Sequence, residues 1–169
     1  LPMIPVIAET IAIAKYLLMV EVTGVKAHFG LISAGASVEL IKIAKDKGLA
    51  VTADVAMHQL HLTEQLIDGF NSLAHVRPPL RAEKDKELLR QGVKDGVIDS
   101  ICTHHEPLSS SAKLAPFAET LPGISAFDTY VSFGVKLVTE GLFEPLEWVE
   151  KVTLAPAKVA NMVERWSQE

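Results

Sequence analysis

Residues 25–57 read VKAHFGLISAGASVELIKIAKDKGLAVTADVAM. Two short apolar runs, VKAHFGLI (25–32) and LAVTADVAM (49–57), flank a segment that places Val38, Ile41 and Ala44 on one helical face and ends at Gly48. Ser33 stands where a helix cap is expected. The apolar runs are near-continuous, which is the mark of strands buried on both faces. Such strands pair in parallel, with the connecting helix packed outside.

The alternation continues in both directions. Residues 5–22 have helical spacing and stop at Thr23-Gly24. Downstream, HLTEQL has Thr63 as a cap for a short helix, and NSLAHV (71–76) reads as a third strand stopped by Pro78-Pro79. RAEKDKELLRQGVKDG gives a helix ending at Gly96, and VIDSICTH (97–104) a fourth strand. Further helices are expected near 124–140, 145–151 and 156–166, with Glu144-Pro145 opening the second of these. The fold class is therefore α/β with parallel strands and outer helices, about four strands where a closed barrel needs eight. Gly30 and Gly35 are too isolated to form a dinucleotide-binding fingerprint.

Bulk composition narrows the function. The chain has 169 residues, 49% of them hydrophobic and 22% charged, enough for one domain with its own core. A net charge of −5 without a basic cluster argues against nucleic acid as the partner. The single Cys102 excludes an internal disulfide and fits a reducing cytoplasm. In residues 1–22, Glu9, Lys15 and Glu21 interrupt the apolar run, so no membrane span is expected there.

Functional groups in parallel α/β architectures gather at the carboxyl ends of the strands. By that rule the histidines sort themselves: His28 lies in the first strand, His58 and His61 follow the second, His75 ends the third, and His104 and His105 end the fourth. Each also has a plain structural reading. His28 could be a core histidine bonded to a backbone carbonyl, His61 lies between Leu60 and Leu62, and His75 could serve only its loop. His58 and His104 are the best ligand candidates, with Asp54 and Glu106 as possible oxygen donors, because a hydrolytic zinc site wants three or four N, S or O donors.

Taken in order, TGVKAHFGLISAGASVELIKIAKDKGL, VTADVAMHQLHLT, RPPLRAEKDKELLRQGVKDGVIDSICTHHEP, APFAETLPGISAFDT and LAPAKVANM resemble the C-terminal half of a dihydroorotase, in the amidohydrolase superfamily. The resemblance implies a (β/α)8 TIM-type barrel of which residues 1–169 supply the second half, the N-terminal half being absent. It also implies zinc at the strand ends, and interconversion of carbamoyl aspartate and dihydroorotate in cytoplasmic pyrimidine biosynthesis.

The resemblance also marks substitutions. The family's last-strand motif resembles T-D-H-x-P-H; here Thr103, His104, His105, Glu106, Pro107 and Leu108 occupy it. His104 thus takes the catalytic aspartate position and Leu108 that of a substrate-contacting histidine. His58 matches the strand-six metal histidine. Leu31 replaces the strand-five metal histidine, with His28 three residues away as a displaced candidate. Arg77 precedes PPLR and Ala155 precedes PAK, where the family often has asparagine. Pro122 and Gly123 belong to the loop that lies beside the substrate in the family. The paired histidines of the first strand and the lysine between the metals are not in this chain. Zinc is therefore expected to be absent or incomplete, and activity small or lost. The implied role is a non-catalytic homologue that partners aspartate carbamoyltransferase or forms a homo-oligomer, with a missing segment or a second copy completing the sheet. The alternative is an active zinc-dependent cyclic amidohydrolase. An unrelated α/β binding domain would need strands out of barrel order.

Overall fold

The computed structural model describes residues 4–162. Its regular elements are α1 (Val6–Thr23), β1 (Ala27–Phe29), α2 (Gly35–Asp46), β2 (Val51–Ala56), α3 (Glu83–Lys94), β3 (Ser100–Cys102), α4 (Phe127–Thr139), α5 (Pro145–Val152) and α6 (Leu154–Val159). Short 3₁₀ turns connect several of them. The strands form one parallel sheet in the order β1-β2-β3, with Ala27 opposite Val51 and Asp54 opposite Ser100. Strand-helix-strand connectivity with helices outside is the expected barrel arrangement, and three strands of it are present.

Period-two geometry divides the two faces of β2. Val51, Ala53 and Val55 point outward into the helical layer, where they pack with Ile41, Leu89, Ile98 and Leu137. Burying each large aliphatic side chain there contributes about 1.5–3 kcal/mol relative to exposure. Thr52 and Asp54 point to the opposite face, which is concave and open among the described residues. The sheet therefore presents its polar row to the space that the rest of a barrel would enclose.

Helix α1 is fixed to α2 by charge rather than by apolar packing alone. The Glu9 carboxylate accepts from the backbone N–H groups of Ser33 and Ala34 at 3.0 Å each, from the Ser37 hydroxyl at 2.7 Å and from the Ser33 hydroxyl. Arg81, also buried, approaches Glu9 at 3.4 Å and donates to Ser33 Oγ at 3.0 Å. Glu9 thus occupies the N-terminus of α2, where the helix dipole favours an anion.

Several expectations need correction. Ser33 does not cap α2; Ala34 holds the cap position, and the Ser33 hydroxyl is spent on Glu9. Residues 71–76 do not form a strand. Asn71 Oδ1 accepts from Leu73 N at 3.1 Å and its amide donates to Leu66 O at 3.1 Å, which folds Ser72–Ala74 into a 3₁₀ turn. Asn side chains compete with sheet pairing in this way, and β2 already has β3 as its neighbour. Among the described residues the four expected strands are therefore three. Glu64–Ile67 is a 3₁₀ turn, and Thr63 makes no side-chain cap to it. Helix α4 starts at Phe127 rather than 124, and α6 ends at Val159; residues 163–166 of the helix expected there lie outside the described residues.

Candidate active site at the strand ends

The polar row on the concave face begins at His28. Its Nε2 donates to Asp54 Oδ2 at 2.8 Å, since a carboxylate can only accept, and its Nδ1 meets Thr52 Oγ1 at 2.8 Å. Asp54 also accepts from Leu31 N at 2.8 Å and from the Cys102 thiol at 3.5 Å. Burial, then the Asp54 charge, push the Cys102 thiol up to about 12, so it stays a thiol and is no nucleophile near neutral pH. Both His28 nitrogens and both Asp54 oxygens are thus engaged within the chain.

His58 and His104 are arranged differently. His58 sits in a 3₁₀ turn (Met57–Leu60) directly after β2 and is 1% exposed. His104 follows β3 with a left-handed backbone, φ 46°, as does Leu31 at 58°. Side chains of L-residues adopt that region at a cost of about 1–2 kcal/mol, and here both strained positions lie at the mouth. The two imidazoles stack with ring centroids 5.5 Å apart. Neither His58 nitrogen nor His104 Nδ1 has a hydrogen-bond partner; His104 Nε2 lies 3.6 Å from Glu106 Oε2. Burial first, and the neighbouring His104 second, pull the His58 pKa down to about 4. At neutral pH the ring is therefore an uncharged nitrogen donor.

The remaining histidines have structural partners. His105 Nδ1 accepts from the backbone N–H groups of Ala126 and Phe127 at 3.1 and 3.0 Å, capping α4 from outside the helix. Replacing His105 with Ala is expected to cost about 1 kcal/mol of stability, as the loss of a cap does, measurable as a lower urea midpoint. His61 stacks on Phe133 and contacts its carbonyl at 3.1 Å. His75 stacks on Phe117 and meets Thr120 Oγ1 at 2.8 Å, while its carbonyl accepts from Gly123 N at 2.9 Å.

That last bond brings the PGIS loop beside the strand ends. Gly123 has φ +149°, and a Cβ there would stand 2.7 Å from the Glu106 carbonyl and 3.1 Å from Leu108 Cδ1. Glycine is what lets the two loops close together. Leu108 is 37% exposed beside it, Pro122 is half-buried, and Arg77 is exposed before a cis bond to Pro78. The structure thus joins Leu108 with Gly123, and His58 with His104. It leaves His28 with Asp54. Tyr130, which sequence reasoning did not single out, donates to the Ile101 carbonyl at 2.6 Å and anchors α4 to β3.

This architecture is that of part of an amidohydrolase-type barrel. The chain superposes on an L-hydantoinase (dihydropyrimidinase) from Arthrobacter aurescens with a TM-score of 0.83 at 24% identity, covering 91% of this chain and 35% of that one. For a D-hydantoinase (dihydropyrimidinase) from Thermus sp. the TM-score is 0.84 at 20% identity, with 92% and 35% covered. No protein-family profile matches. Sequence relatives are more specific. The chain is 43% identical over 159 residues to a dihydroorotase-like protein of Pseudomonas aeruginosa, covering 94% of this chain and 38% of that protein. A dihydroorotase-like protein of Pseudomonas putida is 46% identical over 157 residues, and a dihydroorotase of Syntrophus aciditrophicus 36% over 162. Over these residues the chain is a dihydroorotase-family sequence. It spans about 38% of the length of the curated relatives it matches.

The zinc that the family implies finds only a partial fit. His58 and His104 offer buried, unpartnered nitrogens, which suit a metal. Among the described residues, however, no three His, Cys, Asp or Glu side chains converge to hold an ion. When bound, zinc would polarise the substrate and lower the pKa of water; from this chain it would receive the His58 and His104 imidazoles, with the Glu106 carboxylate 3.6 Å from His104 Nε2.

Proposed function

We propose that the full-length protein carrying these residues is a dihydroorotase homologue with little or no catalytic activity, acting as a structural partner of aspartate carbamoyltransferase in cytoplasmic pyrimidine biosynthesis. Residues 1–169 are one part of a barrel that a further segment completes. The observation that carries the reading is the stacked His58–His104 pair, standing where the family resemblance calls for an imidazole beside an aspartate. Asp54, the carboxylate on β2, is already committed to His28, Leu31 and Cys102.

Loss of the carboxylate and of the hydrogen bond that Leu108 cannot make costs a few kcal/mol each, or about a hundredfold in rate apiece. Similarity to relatives named dihydroorotase-like, at 43% and 46%, supports the same direction. The full-length protein is expected to co-elute with aspartate carbamoyltransferase in size-exclusion chromatography while turning over dihydroorotate about ten-thousandfold more slowly than an active dihydroorotase, two such losses combined. Turnover at an ordinary enzymatic rate, or a clean failure to associate, ends the reading.

The three unpartnered ring nitrogens favour a second reading, a zinc-dependent cyclic amidohydrolase whose remaining ligands come from outside these residues. That reading requires stoichiometric zinc in the purified full-length protein and its loss in the His58→Ala variant, both measured by elemental analysis.

A further inference from the structure

Residues 109–123 read SSSAKLAPFAETLPG and form one long excursion between the end of β3 and the start of α4. They hold no strand, and their helical pieces are the 3₁₀ turns Ser110–Lys113 and Phe117–Glu119. A loop of this length stays loose unless its own side chains pack it and bring its ends together. Part of that packing is apolar. Phe117 and Ile124 lie against Ile67, Ala74, Val76 and Leu80, a small cluster apart from the main core. It holds the middle of the loop but not its two limbs. Leu114 on the outgoing limb and Leu121 on the returning limb are 82% and 56% exposed.

The limbs are joined by Lys113. Its ammonium donates to the Leu121 carbonyl at 2.9 Å and to the His75 carbonyl at 3.1 Å. Its own carbonyl accepts from the Ser72 hydroxyl at 2.7 Å. The His75 carbonyl accepts a second time, from Gly123 N, and so uses both of its lone pairs. One oxygen thus gathers the outgoing limb, the returning limb and the loop that carries His75. Just beyond, Glu106 N donates to the Ile124 carbonyl at 2.9 Å, which ties the returning limb to the residue beside His104. The ammonium is half-buried, and burial holds its pKa below the usual lysine value. A partly desolvated cation gains more from each carbonyl than an exposed one does.

We infer that Lys113 is the positioning residue of the mouth: its ammonium closes residues 109–123 and sets Gly123 against Glu106, so that the loop keeps one shape with or without a bound metal or ligand. A loop that waits for a ligand to order it keeps polar groups free for that ligand. Here the carbonyls of His75 and Leu121 are already satisfied from within the chain. Both bonds of the ammonium are charge-assisted, and they reach two separate segments from a single side chain. Such closure holds whether or not His58 and His104 still support turnover, and it needs nothing from outside the described residues.

The test is amide hydrogen exchange, read by mass spectrometry on the full-length protein, once with a chelator and once with zinc added. In wild type the peptides covering 104–108 and 109–124 should be equally protected under both conditions. Lys113→Met keeps the aliphatic stem and removes the donors. It should speed exchange in those peptides about a hundredfold, as the loss of two charge-assisted bonds does. Residues 25–57 should stay protected over the same period, with an unchanged circular dichroism spectrum. Lys113→Arg, which retains a cation and its donors, should restore the protection. A Met variant as protected as wild type overturns the inference and leaves closure to the Phe117 cluster. Wild-type protection that appears only with zinc overturns it too, as does an Arg variant as open as the Met variant. A Met variant that does not fold, or that exchanges as fast in 25–57 as in the loop, assigns Lys113 to overall stability and equally ends the inference.

Discussion

Replacing Glu9 with Ala is expected to destabilise the protein by about 3–5 kcal/mol, the cost of leaving a buried charge without its partner. Glu9 lies beneath the first turn of α2 and receives Ser33, Ala34 and Ser37, with Arg81 alongside. Without the carboxylate, two backbone N–H groups, two hydroxyls and a buried guanidinium lose an acceptor together. Burial alone would raise the Glu9 pKa. The Ser33 side chain and backbone, then Ser37 and the Ala34 N–H, outweigh that effect, and the net value lies below 4.5. The unfolded chain therefore takes up a proton at Glu9 before the folded chain does. The Glu9 contribution is complete above pH 4.5 and disappears as pH falls through the lower folded value. Urea denaturation of the full-length wild type and of Glu9→Gln at pH 7 and pH 3.5 should show their difference shrinking at the lower pH. A difference that holds constant, or a Glu9→Ala variant within 1 kcal/mol of wild type, would show that α1 and α2 are held by apolar packing alone.

What the sequence disclosed and what it hid follow from range. The parallel β1-α2-β2 unit is legible in 25–57 because its signals, apolar runs and a glycine stop, are local. The strand expected at 71–76 fails because pairing depends on a neighbour, and Asn71 satisfies its own backbone first. At the site, the strand-end rule located His58 and His104, and the structure stacks them. The rule could not locate the His28–Thr52–Asp54–Cys102 row. That row depends on cross-strand register, with His28 opposite Thr52 and Ala56 opposite Cys102. Glu9 was legible only as a charge interrupting an apolar helix, because its partners lie 24 to 72 residues away. A carboxylate early in so apolar a segment, with an arginine in PPLR to match, is the signal that could have pointed to it.

The His58 ring supplies a second acid window, separate from that of Glu9. Its pKa is 6.5 in the unfolded chain and about 4 in the folded one, chiefly through burial and then through His104. Between those values the unfolded state holds the extra proton, so stability declines as pH falls from 6.5 to 4 and this contribution is constant below. A shift of this size corresponds to about 3 kcal/mol. In the metal-stripped full-length protein, His58→Phe should remove that decline. It should also be as stable as wild type or more so at pH 7, because two buried nitrogens without partners cost free energy that a phenyl ring does not. The outcome separates the two functional readings without an activity assay. If the completed barrel brings a donor or a zinc ligand set to His58, wild type shows no decline in its ligated form, and His58→Phe is several kcal/mol less stable at pH 7. If the pair is a relic in a structural protein, the decline is present with or without chelator, and the phenylalanine variant is the more stable of the two.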